Sequence, residues 1–311
     1  MAILLATDFD PAELAQWHAL LAAELPGETL VFDRAACAPE DIDTAIVANP
    51  PAGALAGLPR LQFVQSLWAG VDRLLRDATV PAGVPLARMV DPAMNEAMAE
   101  TATWAVLGLH RGFFDYLAQQ RDARWLQHGQ RRADEVSVAV LGLGEMGRAT
   151  CRRLSASGYR LLGWSLRGTP VPGVDVHGGD PGLATVLSAA DIVVNLLPLT
   201  AATVALFDTR RFAQMRRGAS LVNLARGAHV VEADLLDALQ GGRLHWAVLD
   251  VFQAEPLPAT HAFWSHPRIT VLPHVAAQTD PRSAAKVAAA NVRAVRAGRA
   301  PRDLVDRVRG Y

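Results

Sequence analysis

Four polar side chains in the second half of the chain each follow an apolar run: Arg226 after SLVNLA, Asp250 and Glu255 in LDVFQAEPLP, and His274 in ITVLPHVAAQT. Taken singly, each has an ordinary structural reading, because a lone histidine is usually a hydrogen-bonded packing residue and an arginine or glutamate after a strand is usually a surface charge. Taken together, they supply what the reduction of a 2-oxoacid needs. A guanidinium grips a carboxylate through paired N–H donors, an imidazolium delivers a proton to a ketone oxygen, and a carboxylate beside the imidazole keeps that proton in place. The set lacks only a source of hydride.

Such a source would bind at AVLGLGEMGRAT, residues 139–150. Gly142, Gly144 and Gly147 form G-x-G-x-x-G directly after the apolar run Val138–Leu141 and directly before RATCRRLSAS. In a strand-to-helix setting the first glycine permits a tight turn, the second lets a pyrophosphate approach the backbone, and the third allows the helix to pack closely on the strand. The helix N-terminus then offers unpaired N–H groups to the phosphates. A glycine turn without a ligand is the plain alternative, and the strand-end residues downstream argue against it.

An NAD-binding turn of this kind has an acidic residue about 20 positions on, at the end of the next strand, where it meets the ribose 2′-hydroxyl. Here that stretch reads GWSLRGTP. Trp164, Ser165 and Leu166 bring no carboxylate, whereas Arg167 brings a guanidinium suited to a 2′-phosphate. NADP(H) is therefore expected in preference to NAD(H).

Parallel strands must carry these residues to one crevice. AILLAT, TLVFD, TAIVAN and LQFVQSL read as strands with a helix over Pro11–Leu25, a first parallel α/β unit. From Asn95 to Gln120 helical spacing runs without proline, which predicts one long helix, and the polar RDARWLQHGQRRADE after it reads as an exposed arm or loop. VSVAVLG, YRLLGW, DIVVNLLP, SLVNLA, WAVLDVF and ITVLPHV then alternate with helical stretches as a second doubly wound unit. A last helix, about Asp280–Ala297, and the tail DLVDRVRGY are expected to return to the first unit. The fold class is thus α/β with two parallel-sheet domains, a Rossmann-type cofactor domain (99–280) inserted in a flavodoxin-like substrate domain (1–98 and 281–311).

Composition narrows the alternatives. At 311 residues the chain has room for two cores, and a net charge of −1 leaves no surplus of either sign for nucleic acid or a lipid surface. Lys286 is the sole lysine among 30 basic residues, and no GK[ST] phosphate loop is present, so Schiff-base and P-loop chemistry both recede. Cys37 and Cys151 have no Cys or His at metal-ligand spacing, so neither a disulfide nor a metal is expected. The apolar start before Asp8 is too short for a signal peptide, and no run approaches the roughly 20 apolar residues of a spanning helix, which points to a cytoplasmic protein.

Across nearly its whole length the chain resembles the D-isomer-specific 2-hydroxyacid dehydrogenase family, on SLWAGVD (66–72), the glycine turn, NLLPLTAAT (195–203), NLARGAHVVEADLLDAL, LDVFQAEPLP, FWSHPRITVLPHVAAQT and VDRVRGY. It looks most like the glyoxylate/hydroxypyruvate reductase branch. The resemblance implies that Arg226 grips the substrate carboxylate, Glu255 is the acid partner and His274 the proton donor. It places Asp250 near the nicotinamide carboxamide and gives cofactor contacts to Leu143, Glu145 and Met146 within the turn, to Leu197 and Pro198, and to Ala225. The backbone N–H groups of Ala69, Gly70 and Val71 would hold the substrate carboxylate. Trp68 stands where the family more often has a small residue, and its indole either limits substrate size or packs under the loop. Ser165 occupies the place of the acidic residue of NAD-dependent members. A homodimer is also implied, with the long helix and RDARWLQHGQ reaching the partner. The rival functions are an NAD-dependent dehydrogenase of a larger D-2-hydroxyacid and, from another class, a dinucleotide-sensing binding protein.

Overall fold

The computed structural model describes residues 1–311, and the chain divides into two compact units, Met1–Met94 with Thr279–Tyr311, and Asn95–Gln278. In the first unit the apolar runs become β1 (Ala2–Thr7), β2 (Thr29–Val31), β3 (Ile42–Ala48), β4 (Phe63–Ser66) and β5 (Leu86–Ala87), all parallel in the order β2-β1-β3-β4-β5. Every residue of β3 is buried, as expected of a central strand covered on both faces. Helix α1 (Pro11–Glu24) starts where Asp10 accepts the Ala12 and Glu13 N–H groups at 2.8 and 2.9 Å, with Pro11 in the first turn. The short α2 (Asp72–Arg76) follows β4.

One expectation fails at the entry to the second unit. The stretch expected as a single helix over Asn95–Gln120 is two, α3 (Pro92–His110) and α4 (Phe113–Arg121). Gly112 takes a left-handed φ of +69° between them, a conformation in which the helical hydrogen-bond ladder ends. The 122–132 segment beyond α4 has no regular structure and is exposed throughout.

The second unit carries seven parallel strands: β6 (Ser137–Leu141), β7 (Arg160–Ser165), β8 (Asp175–Gly178), β9 (Ile192–Asn195), β10 (Ala219–Asn223), β11 (Leu244–Leu249) and β12 (Ile269–Val271). Their order, β12-β11-β10-β9-β6-β7-β8, reverses direction between β6 and β9. At such a switch point the loops leaving the carboxyl ends diverge and open a crevice. The connecting helices are α5 (Glu145–Ala156), α6 (Gly179–Ala189), α7 (Thr209–Gln214) and α8 (Glu232–Gln240). β5 has two residues and β8 is a polar edge strand, so neither carries the apolar run by which the others are recognised.

The chain then returns to the first unit as α9 (Pro281–Arg296), which packs against α1. Its tail runs along β5, the Val305 N–H donating to the Leu86 carbonyl at 2.8 Å and the Arg88 N–H to the Asp303 carbonyl at 3.0 Å. Near the end of α9, Arg296 pairs with Glu28 at 3.0 Å and with the buried Asp43 of β3. Removing the guanidinium would leave the Asp43 carboxylate buried and unpaired. Arg296→Met is therefore expected to cost about 3 kcal/mol, read as a lower urea midpoint, and adding Asp43→Asn is expected to recover part of it.

Candidate active site

Chemistry-bearing residues of the second unit gather beyond the carboxyl ends of β10, β11 and β12. The β11–β12 ladder continues past both strands: the Leu272 N–H donates to the Leu249 carbonyl at 2.8 Å and the His274 N–H to the Asp250 carbonyl at 2.9 Å. Asp250, 1 % exposed, accepts the Val275 N–H on one carboxylate oxygen at 2.7 Å and the Ala276 N–H on the other at 3.0 Å. Burial raises its pKa against the pull of these two donors. The clamp holds His274 at a left-handed φ of +55°, which residues with a Cβ rarely adopt. The side chain expected near a nicotinamide carboxamide thus has both carboxylate oxygens bonded to the backbone of the histidine loop.

His274 Nδ1 lies 2.7 Å from Glu255 Oε2, and Glu255 Oε1 accepts the Phe252 N–H at 2.8 Å. A carboxylate only accepts, so Nδ1 carries the proton and Nε2 is left for a substrate; the imidazole is 53 % exposed. The hydrogen bond to Glu255 raises the His274 pKa; burial and the Arg226 charge oppose it, and the carboxylates of Glu255 and Asp250 reinforce it. Burial by itself would raise the pKa of Glu255, but the bonds from His274 and from the Phe252 N–H, with the charges of His274 and Arg226, bring it below the ordinary value. The pair therefore favours imidazolium beside carboxylate.

Arg226 is half-buried on the turn after β10, where its Nη1 donates to the Ala225 carbonyl at 2.7 Å. The next residue explains how the turn is placed. A Cβ on Gly227 would lie 1.9 Å from the Phe252 carbonyl carbon, so the Arg-Gly turn is pressed on the backbone that leads from Asp250 to Glu255. Only glycine permits that approach.

The glycine turn has a shape that fits a dinucleotide. Gly142 has a φ of +95° and a Cβ there would meet the Leu196 carbonyl oxygen at 2.7 Å, while one on Gly147 would overlap the Gly142 carbonyl oxygen at 1.9 Å. Gly144 is the opposite case: it is exposed, nothing lies within 4 Å of its Cβ position, and it begins α5 with no side chain capping the first turn. Open backbone above uncapped N–H groups is where a pyrophosphate would approach. Leu143 is buried beneath the turn, Met146 half-buried and Glu145 exposed, so any cofactor contact of Leu143 would be through its backbone. Leu197 and Ala225 are each 7 % exposed and Pro198 is partly exposed, on the loops after β9 and β10.

At the end of β7, Ser165 Oγ is buried without a hydrogen-bond partner, and Arg167 is exposed on a tight turn closed by the Gly168 N–H on the Ser165 carbonyl at 3.1 Å. No carboxylate competes for that guanidinium within the turn.

In the first unit, Trp68 lies edge-on to Phe9 at 5.9 Å, and Phe9 stacks on Trp17 at 5.8 Å. The half-buried indole thus extends an aromatic column beside the loop. The N–H groups of Ala69, Gly70 and Val71 make no hydrogen bond within the chain.

Asn195, Asn223 and His229 escaped sequence reasoning although all three are buried beneath these loops. Two asparagines closing apolar strands were a visible signal. Their partnership was not, because it depends on Asn195 and Asn223 being opposite one another in the β9–β10 register.

Residues 103–276 match the family described as D-isomer specific 2-hydroxyacid dehydrogenase, NAD binding domain. A glyoxylate/hydroxypyruvate reductase A of Serratia proteamaculans is 41 % identical over 274 residues, covering 86 % of this chain and 88 % of the relative. A D-isomer specific 2-hydroxyacid dehydrogenase of Xanthobacter autotrophicus, solved with NADPH and MES, superposes with a TM-score of 0.94 at 36 % identity over 100 % of this chain and 99 % of that one. An NADPH-dependent glyoxylate/hydroxypyruvate reductase of Sinorhizobium meliloti, solved with NADP and sulfate, gives 0.92 at 32 % identity, again over 100 % and 99 %.

Proposed function

The chain belongs to the D-isomer specific 2-hydroxyacid dehydrogenase family, and on that footing we propose that it reduces small 2-oxoacids, glyoxylate and hydroxypyruvate among them, to 2-hydroxyacids with NADPH. The observation that carries this reading is the 2.7 Å His274–Glu255 pair, beyond the carboxyl ends of β11 and β12, with Arg226 beyond that of the neighbouring β10 and the glycine turn on the same sheet. A similar activity in the Serratia and Sinorhizobium relatives supports it.

The glycine turn, with Leu197, Pro198 and Ala225, would hold the dinucleotide, and Arg167 beside Ser165 would select the 2′-phosphate. When bound, NADPH supplies the hydride that adds to the carbonyl carbon. Arg226 binds the substrate carboxylate in a forked pair; the amides of Ala69–Val71, in the first unit, are a separate candidate for binding a carboxylate. His274 gives the proton on Nε2 to the carbonyl oxygen, completing the alcohol. Glu255 keeps Nδ1 protonated and its charge offsets that of the imidazolium.

Because Glu255 raises the His274 pKa, the protonated donor persists to higher pH than an ordinary histidine allows. Reduction is expected to hold at low pH and fall as pH rises through that raised value; oxidation of the 2-hydroxyacid, which needs the neutral imidazole, should rise over the same range. Glu255→Gln keeps an acceptor but removes the charge. Its midpoint should move to lower pH in both directions, and an unmoved midpoint would separate Glu255 from the titrating group.

Trp104, Leu107, Phe113, Leu117, Trp125 and Leu126 are exposed on α3, α4 and the segment after them, with Trp125 95 % exposed, and we assign this apolar face to a second copy of the chain. A monomer by sedimentation at micromolar concentration would refute that assignment. No helix is long and apolar enough to cross a membrane; the free cysteines and a reduced nicotinamide suit the cytoplasm. The direct test of function is initial rates with glyoxylate, hydroxypyruvate and phenylpyruvate, each with NADPH and NADH. Preference for NADPH and the small acids is expected, and turnover confined to NADH or to phenylpyruvate would contradict the reading.

A further inference from the structure

His229 is a fully buried titratable group that the proposed chemistry does not use. Its Nδ1 lies 2.9 Å from Asn195 Nδ2 and its Nε2 3.3 Å from the Pro198 carbonyl oxygen. An amide nitrogen donates and a carbonyl accepts, so these partners call for a neutral ring with its proton on Nε2. The other Asn195 N–H goes to Asn223 Oδ1 at 2.9 Å, and Asn223 Nδ2 donates to the Arg226 carbonyl at 3.0 Å. The two side-chain carbonyls accept the Leu197 and Ala225 N–H groups, each at 3.3 Å.

One end of this chain of bonds therefore holds the backbone of the Arg226 turn. The other holds the 196–198 loop, whose Leu196 carbonyl abuts Gly142 of the glycine turn. Thr203 Oγ1 adds a second donor to the Pro198 carbonyl at 2.8 Å. Aliphatic side chains would fill the same space without the cost of burying amides; what the amides add is direction, because each bond fixes where a loop carbonyl or N–H must sit.

We propose that His229, Asn195 and Asn223 are positioning residues that hold the Arg226 turn and the 196–198 loop in a fixed relation, so that oxoacid and cofactor meet correctly aligned. The proposal rests on the functional reading above. It requires that disturbing the network weaken both ligands together while leaving the proton chemistry of His274 alone.

His229→Phe keeps a ring but removes the bonds to Asn195 Nδ2 and the Pro198 carbonyl, whereas His229→Gln retains one acceptor and one donor. For the Phe variant, the glyoxylate KM and the NADP+ Kd, the latter from tryptophan fluorescence, are each expected to rise about tenfold, the factor associated with one net hydrogen bond. The pH midpoint of kcat should stay in place, and Gln should restore most of both losses. Constants within twofold of wild type, or a loss confined to thermal stability, would overturn the proposal. If the Phe variant does not fold, Thr203→Val loosens the Pro198 carbonyl at nearly constant shape and should raise the NADP+ Kd; no change there would overturn it equally. Wild-type protein that binds NADP+ but reduces no oxoacid would defeat the functional reading, while the Kd comparison would still judge the network.

Discussion

His274→Asn is expected to lose about 10²–10⁴ in kcat for glyoxylate reduction, the contribution of a well-placed general acid, with little change in NADP+ affinity. Asparagine is the informative replacement for two reasons. It tolerates the left-handed backbone that His274 adopts at φ +55°, so the loop clamped by Asp250 is not forced to rearrange. It also keeps a side chain able to bond to Glu255 but carries no proton that titrates near neutrality. The residual rate should then be flat across the pH range in which wild-type reduction declines. A variant that retains wild-type kcat, or the wild-type pH profile, would remove His274 from the mechanism.

The second large effect is expected at Arg226. Arg226→Gln should lower kcat/KM for glyoxylate by about 10²–10³, since truncating one member of a desolvated, hydrogen-bonded charge pair costs about 2–5 kcal/mol. Most of the loss should appear in the oxoacid KM, with NADPH KM near wild type. A neutral 2-oxoamide provides the control: it has no carboxylate to pair, so the substitution should cost it much less. Equal losses for acid and amide would mean that Arg226 acts by placing His274 and Glu255, whose titration its charge already influences, and not by binding the carboxylate.

Both sites differ in how far they could be read from the chain. The glycine turn was fully legible, because G-x-G-x-x-G is local: Gly142 and Gly147 are required by close approaches to Leu196 and to Gly142 itself, and the strand before and helix after lie within a few residues. Arg226, Glu255 and His274 were legible as types at strand ends, since an apolar run followed by a polar residue marks the exit from a buried parallel strand. The single helix expected over Asn95–Gln120 was misread for the same local reason. Spacing continued through the region, and nothing in it revealed that Gly112 would take a positive φ.

By itself the sequence determined the two α/β units, the glycine turn, the absence of a carboxylate beside Arg167 and the set of groups available for acid–base chemistry. These follow from period, composition and short-range spacing. The tertiary structure alone decided that Glu255 meets His274 at 2.7 Å, that Asp250 spends its carboxylate on the Val275 and Ala276 N–H groups, and that Asn195, Asn223 and His229 join beneath the loops. Each of these bonds joins groups 19 to 34 residues apart. Hydrogen bonds are short and directional, so such contacts exist only once strand order and register have been fixed by the packing of the whole sheet.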